Sequence, residues 1–200
     1  MTAKPQNLPV RPGVITLARH GEPSLSRRVR LSAQQYREFW TNYEALGIRP
    51  GQTPPADLVA TAGRCEVVLC SSRLRAIESA GLLTQSREFE RDSMFIEAPL
   101  PPPEWPEWIR LTPPTWGFLA RIWWMWFNHH EGQETAAEAD RRAEAAAARL
   151  TALADSGQDV LLVAHGWFNH MLGKALRRAG WRRTAGRGFK YWSMRRYERG

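Results

Sequence analysis

Three short apolar runs in this chain end in residues suited to handling a phosphoryl group. Val14-Ile15-Thr16-Leu17-Ala18 runs into Arg19-His20-Gly21, residues 66–70 run into Ser71-Ser72, and residues 160–164 run into His165-Gly166. A neutral imidazole nitrogen is a competent nucleophile toward phosphorus. Arginine carries a permanent planar fork that meets phosphate oxygens two at a time. His20 therefore reads as a nucleophile, Arg19 and Arg75 as phosphate-binding groups, and His165, when protonated, as a further donor to the phosphoryl oxygens. Gly21 and Gly166 allow backbone to approach an anion closely. Arg75 falls about one turn into a helix expected to be capped by Ser72, where unpaired amides also favour an anion. Singly, each has a plainer reading: a strand-end histidine, surface arginines, a helix-capping His165. Together, two arginines and two histidines around one pocket describe a phosphate site with a nucleophile inside it.

The elements that must hold them follow from pattern. Residues 14–18, 66–70 and 160–164 read as buried strands, and 93–98 as a further short one. Helices are expected over 31–46, 73–83, 115–130, 135–155 and 167–178. Thr135 and Glu138 form a capping box, and Gly157 ends the helix they open. Residues 47–55 form a loop, and the Pro-rich stretch 99–114 cannot be a regular helix. Residues 189–197 read as a late edge strand. Strands alternating with helices predict an α/β three-layer sandwich with a mostly parallel central sheet. In such sheets the residues just past the strand C-termini gather at one edge, where ligands bind. The expected organisation is one domain over 1–200, with a Pro/Trp-rich insertion at about 99–130.

Val-Ile-Thr-Leu-Ala-Arg-His-Gly-Glu at residues 14–22 resembles the signature of the histidine phosphatase superfamily, the group that includes cofactor-dependent phosphoglycerate mutases. Cys70-Ser71-Ser72-Arg73-Leu74-Arg75-Ala76 looks like the family's second block, in which an Arg-Ala pair places the second pocket arginine at Arg75 rather than Arg73. Val163-Ala164-His165-Gly166 resembles the third block. The resemblance spans roughly residues 14–176 and implies a phosphoglycerate mutase-like fold and a phosphohistidine on His20. It also implies a glutamate proton donor in an apolar-x-Glu-apolar stretch between the second and third blocks. Phe95-Ile96-Glu97-Ala98 fits best, so Glu97 is the expected acid, with Glu104 and Glu107 as competitors and Glu22 as a supporting residue. The implied function is a metal-independent phosphatase acting on small phosphorylated substrates, with phosphoglycerate mutase-type transfer as the alternative.

Composition bounds the remaining choices. Two hundred residues with 43% hydrophobic content suit a globular domain. No apolar run reaches the roughly 18 residues of a membrane span. The polar stretch 1–12 has no leader-like apolar core, so a cytoplasmic protein is expected. Cys65 and Cys70 read as reduced packing thiols. No cofactor or metal is expected: His129-His130-Glu131 can turn at most two ligands to one ion on a helix, and His165 and His170 are badly spaced for shared ligation. The net charge of +8 lies mostly in residues 174–200, with ten Lys or Arg against Glu198. A solvated basic face is the expected reading. A non-catalytic module that binds nucleic acid or anionic lipid is the rival, and nucleic acid is not expected. Six of the ten tryptophans fall in 105–126. That segment reads as core helix, as a pocket wall favouring an apolar or aromatic leaving group, or as an interface, which keeps a homo-oligomer open.

Overall fold

Strand β4 (Val160–Ala164) is buried along its whole length, and its alternate residues feed two separate cores. Val160, Leu162 and Ala164 join Ile15, Leu17 and Leu69 on one face of a sheet, while Leu161 and Val163 join Ala18, Val68 and Cys70 on the other. That is the period-two geometry of a strand covered on both sides. A computed structural model describes residues 11–85 and 87–199. The leader-free reading of the N-terminus therefore concerns, for residues 1–10, a stretch outside the described residues.

The sheet has six strands in the order β3-β2-β4-β1-β6-β5. These are β1 Ile15–Arg19, β2 Val67–Ser71, β3 Glu90–Asp92, β4, β5 Trp181–Ala185 and β6 Met194–Arg199. The first four in sheet order run parallel, β6 lies antiparallel to β1, and β5 antiparallel to β6. Helices α5 (Ala136–Asp155) and α6 (Gly166–Arg178) cover one face, and α2 (Ala56–Arg64) and α3 (Leu74–Thr84) the other. The expected three-layer α/β sandwich is therefore present. Helix α5 carries the expected capping box, with Thr135 and Glu138 each bonding back to the other's backbone. Its buried stripe of Ala139, Ala143, Ala146, Ala147, Leu150 and Ala154 recurs at helical spacing.

Helices α1 (Ala33–Ala45) and α4 (Pro113–Phe127) stand over the C-terminal edge of the parallel strands around a small core of their own, in which Tyr36 and Trp116 stack at 6.0 Å. Ser32 and Gln35 cap α1 reciprocally. Helix α4 begins two residues earlier than the Pro-rich reading allowed. Pro113 and Pro114 occupy its first turn, where no amide partner is needed. Asn128, in the left-handed region, ends it.

Other expectations shift. Residues 93–98 are not a strand. Pairing with β2 falls on Glu90–Asp92, and Asp92 then accepts from the Met94 amide at 2.8 Å to start a 3₁₀ turn over Ser93–Phe95. Ser72 does not cap α3. The cap position is Arg73, whose amide donates to Ser71 Oγ at 3.3 Å. The late strand is not at the edge, because β5, which the sequence did not suggest, pairs outside it. Helix α2 was also unanticipated; Leu58 and Ala62 bury its inner face. No helix among the described residues is long and apolar enough to cross a membrane.

Candidate active site

The sheet register builds the site. Arg19 pairs with Ala164 across β1 and β4, so the next residues, His20 and His165, lie side by side with ring centroids 5.1 Å apart. The His20 amide extends the ladder to Ala164 O at 3.0 Å. On the other flank β2 pairs with β4 through Cys70 and Val163, which brings Ser71 Oγ to 2.8 Å from His165 Nε2.

His20 is buried, and its Nδ1 lies 2.7 Å from Gly21 O. A carbonyl only accepts, so Nδ1 carries the proton and donates it, and the Nε2 lone pair is free for chemistry. Burial first, then the charges of Arg75 and Arg19, hold the imidazole pKa well below its ordinary value. The ring is therefore neutral at neutral pH. His165 is depressed in the same way, by burial and then Arg75. Ser71 Oγ accepts from the Arg73 amide and so can give its own proton to His165 Nε2. With Ser71 donating, the proton of the neutral ring sits on Nδ1, an atom without a partner among the described residues. His165 thus offers a donor while neutral, and the protonated form expected from the sequence is not needed.

The arginines are held rigidly. Arg75 is fully buried and donates to Glu44 Oε1 at 2.7 Å and Tyr43 O at 3.1 Å, leaving Nε unpaired among the described residues. Glu44 also pairs with Arg73 at 2.7 Å. Arg19 donates to Phe189 O and lies 4.3 Å above the ring of Tyr191, and its Nε is likewise unpaired among the described residues. Arg27 reaches the hydroxyl of Tyr191 at 3.2 Å and adds its field to His20.

A cavity of about 450 Å³ opens on these groups, lined by Arg19, His20, Arg75 and His165 together with Arg27 and Arg121. Glu97 is its single lining carboxylate among the described residues. Glu97 accepts from the amides of Trp167 at 3.1 Å and Phe168 at 2.8 Å, at the start of α6, and from Ala98 at 3.1 Å. Glu104 and Glu107 line a different groove, and Glu22 pairs with Arg49 at 3.1 Å. Gly21 is not brought to the cavity wall. Its amide donates to Ser79 Oγ at 2.9 Å, and a Cβ there would meet the Trp192 ring at 2.4 Å, so close packing demands this glycine. Gly166 does line the cavity. His129 turns to Pro102 O at 2.9 Å, Glu131 pairs with Arg37, and His170 stacks against Trp167 at 5.1 Å.

Arg27, Tyr43, Glu44 and Tyr191 are the site residues that sequence reasoning missed. Arg27 is one of three arginines in four residues, and nothing in that run separates it from Arg28 and Arg30. Tyr191 sits inside the basic tail segment, which drew attention as charge alone.

Comparison with known proteins bears on the fold and the family. No curated protein matches the chain. Among solved structures, the Mycobacterium tuberculosis open reading frame Rv3214 superposes with a TM-score of 0.52 at 18% identity, over 91% of this chain and 89% of that one. The mycobacterial glucosyl-3-phosphoglycerate phosphatase Rv2419c, in complex with VO3, gives 0.55 at 20% identity, over 83% and 82%. Entamoeba histolytica phosphoserine phosphatase with 3-phosphoglyceric acid gives 0.53 at 13% identity, over 83% and 80%. At these identities the likeness is one of fold. The family model described as histidine phosphatase superfamily (branch 1) matches residues 15–198, and the chain belongs to that superfamily.

Proposed function

We propose that the chain hydrolyses phosphate monoesters through a phosphohistidine on Nε2 of His20. The observation that carries the reading is the fixed tautomer of His20: Nδ1–H is spent on Gly21 O, and Nε2 stays unprotonated beside two arginines and a second neutral histidine. Phosphatases among the structural neighbours support it.

Arg19, Arg75 and the Nδ1–H of His165 hold the phosphoryl oxygens, and Arg27 adds charge beside them. Preorganised donors of this kind supply most of the stabilisation of a loose phosphoryl-transfer transition state. Nε2 of His20 attacks phosphorus in line, the N–P bond forms and the ester P–O bond breaks. The departing oxygen takes a proton from Glu97, which lines the cavity where Glu104 and Glu107 do not. The Glu97 carboxylate then removes a proton from water, whose oxygen attacks phosphorus. The N–P bond breaks, orthophosphate leaves, and neutral His20 and protonated Glu97 are restored. The guanidinium groups provide the positive charge, so no step calls on a metal ion. Residues 99–130 are read as an insertion that closes the leaving-group side of this cavity.

The test is His20→Ala together with acid-labile phosphate trapped on the wild-type chain during turnover of an aryl phosphate in EDTA. Loss of both turnover and labelling in the variant is expected. A fully active His20→Ala protein overturns the reading.

A further inference from the structure

The part of the cavity beyond the phosphoryl groups is built unlike a site for a sugar or polyol. At about 450 Å³ it is far larger than a phosphate and sits in the range of small-ligand pockets. Among the described residues, no Asn, Gln, Ser, Thr or Asp lines it; beyond the phosphoryl groups its polar atoms include the Tyr36 and Tyr43 hydroxyls, the Trp167 indole and the side chains of Glu97 and Arg121. Its remaining charged groups are engaged with the protein. Arg121 donates to Ala98 O and Pro99 O, both at 3.3 Å, and lies between the rings of Trp124 and Trp167 at 4.7 and 4.8 Å. Glu97 is bonded to the start of α6.

What faces the space is aromatic. Tyr36, Trp40 and Tyr43 follow one another at helical spacing on α1, with Trp40 and Tyr43 stacked at 5.0 Å and 15°. Phe118 on α4 borders the mouth opposite and is 65% exposed. Between them lies Gly117, within α4. A Cβ there would lie 3.4 Å from the Tyr36 hydroxyl and 3.9 Å from Leu100. Those are ordinary van der Waals distances, so a longer side chain at 117 would take up cavity volume beside α1.

We infer that the leaving group of the substrate carries a flat aromatic ring, received against the aromatic wall that Trp40 and Phe118 help to line. This rests on the proposed phosphatase activity and names its substrate class. Aromatic rings gain from offset stacking beyond their buried area, and a lining without small hydroxyl and amide side chains offers a polyol few partners for its lost water.

The experiment compares kcat/KM for three primary alkyl esters, whose leaving oxygens are chemically alike: 2-phenylethyl, hexyl and 2-hydroxyethyl phosphate. Phenylethyl phosphate is expected to exceed hydroxyethyl phosphate by about 100-fold and hexyl phosphate by about tenfold, of the order that apolar pockets discriminate. Gly117→Leu, which improves helix propensity and puts a branched side chain into the cavity wall, should shrink the phenylethyl preference to about fivefold or less. Trp40→Ala should reduce it independently. A preference below about threefold in the wild type, hexyl phosphate equal to phenylethyl, or a preference unmoved in both variants overturns this inference while His20 still becomes phosphorylated. Failure to turn over any ester, with no phosphohistidine trapped, overturns the phosphatase reading itself.

Discussion

Acid titration is the sharpest probe of two histidines buried neutral beside arginines. Both His20 and His165 have pKa values pushed well below 6.5, chiefly by burial. In the unfolded chain each titrates near 6.5. Below that pH the unfolded state binds protons that the native state refuses, so stability is present above about 6.5 and is lost as pH falls toward the depressed native values. Each group contributes a slope of about 1.4 kcal/mol per pH unit in that window. With both rings held neutral down to pH 5, the fall between pH 7 and pH 5 is about 2 kcal/mol for each and about 4 kcal/mol together. His170 is depressed as well, mainly by partial burial, and adds in the same direction, so His170→Asn serves as the background chain. The depressed carboxyls of Glu138 and Glu198 are on the surface and titrate below this window. The assay is urea unfolding at half-unit steps from pH 7 to 5, in phosphate-free buffer. His20→Ala in that background should remove about half of the slope. Saturating inorganic phosphate should reduce the loss further, because a bound anion favours protonated histidine. A flat profile, or one that His20→Ala leaves unchanged, refutes the neutral-histidine site.

Two further outcomes follow from the carboxylates. Glu97→Gln should slow alkyl phosphates by about 10²-fold or more, as removal of a general acid does, yet slow p-nitrophenyl phosphate by less than about tenfold, since that leaving group needs little protonation. It should also cost about 1 kcal/mol of stability through the weakened start of α6; equal slowing of both esters would assign Glu97 to the helix end alone. Glu44→Gln strips the counter-charge from fully buried Arg75 and should destabilise the chain by about 2–4 kcal/mol in urea titrations. Inorganic phosphate, binding only the native state, should restore part of that loss, and a variant as stable as the parent would contradict the role given to this pair.

What the sequence showed and what it hid divide along a physical line. An apolar run that stops at a polar pair is a local signal, and in a parallel sheet the register converts three such stops into one site. Arg19 opposite Ala164 is enough to set His20 beside His165. Glu97 was singled out only through the family resemblance, which implies a glutamate in an apolar-x-Glu-apolar stretch, and it lines the cavity. The cavity wall was not legible, because it is made by tertiary packing that no local pattern records. Tyr36, Trp40 and Tyr43 look like one face of any amphipathic helix until α4 lies across them. Arg27 differs from Arg28 and Arg30 only by its reach to Tyr191, 164 residues away. Strand β6 misled for a related reason. Residues 189–197 read as an edge strand, yet β5 pairs outside β6, and Arg195 is 7% exposed and spends its guanidinium on Gly188 O at 2.7 Å and on the face of Phe189 at 4.8 Å. The segment that anchors Arg195 is also the one that reaches the site, since Phe189 O holds Arg19 and Tyr191 underlies it. Part of the basic C-terminal stretch therefore holds Arg19 in place at the cavity. At Arg195 the charge is used internally: its bond to Gly188 O and its place over Phe189 fix the loop that carries Phe189 and Tyr191 beside the cavity.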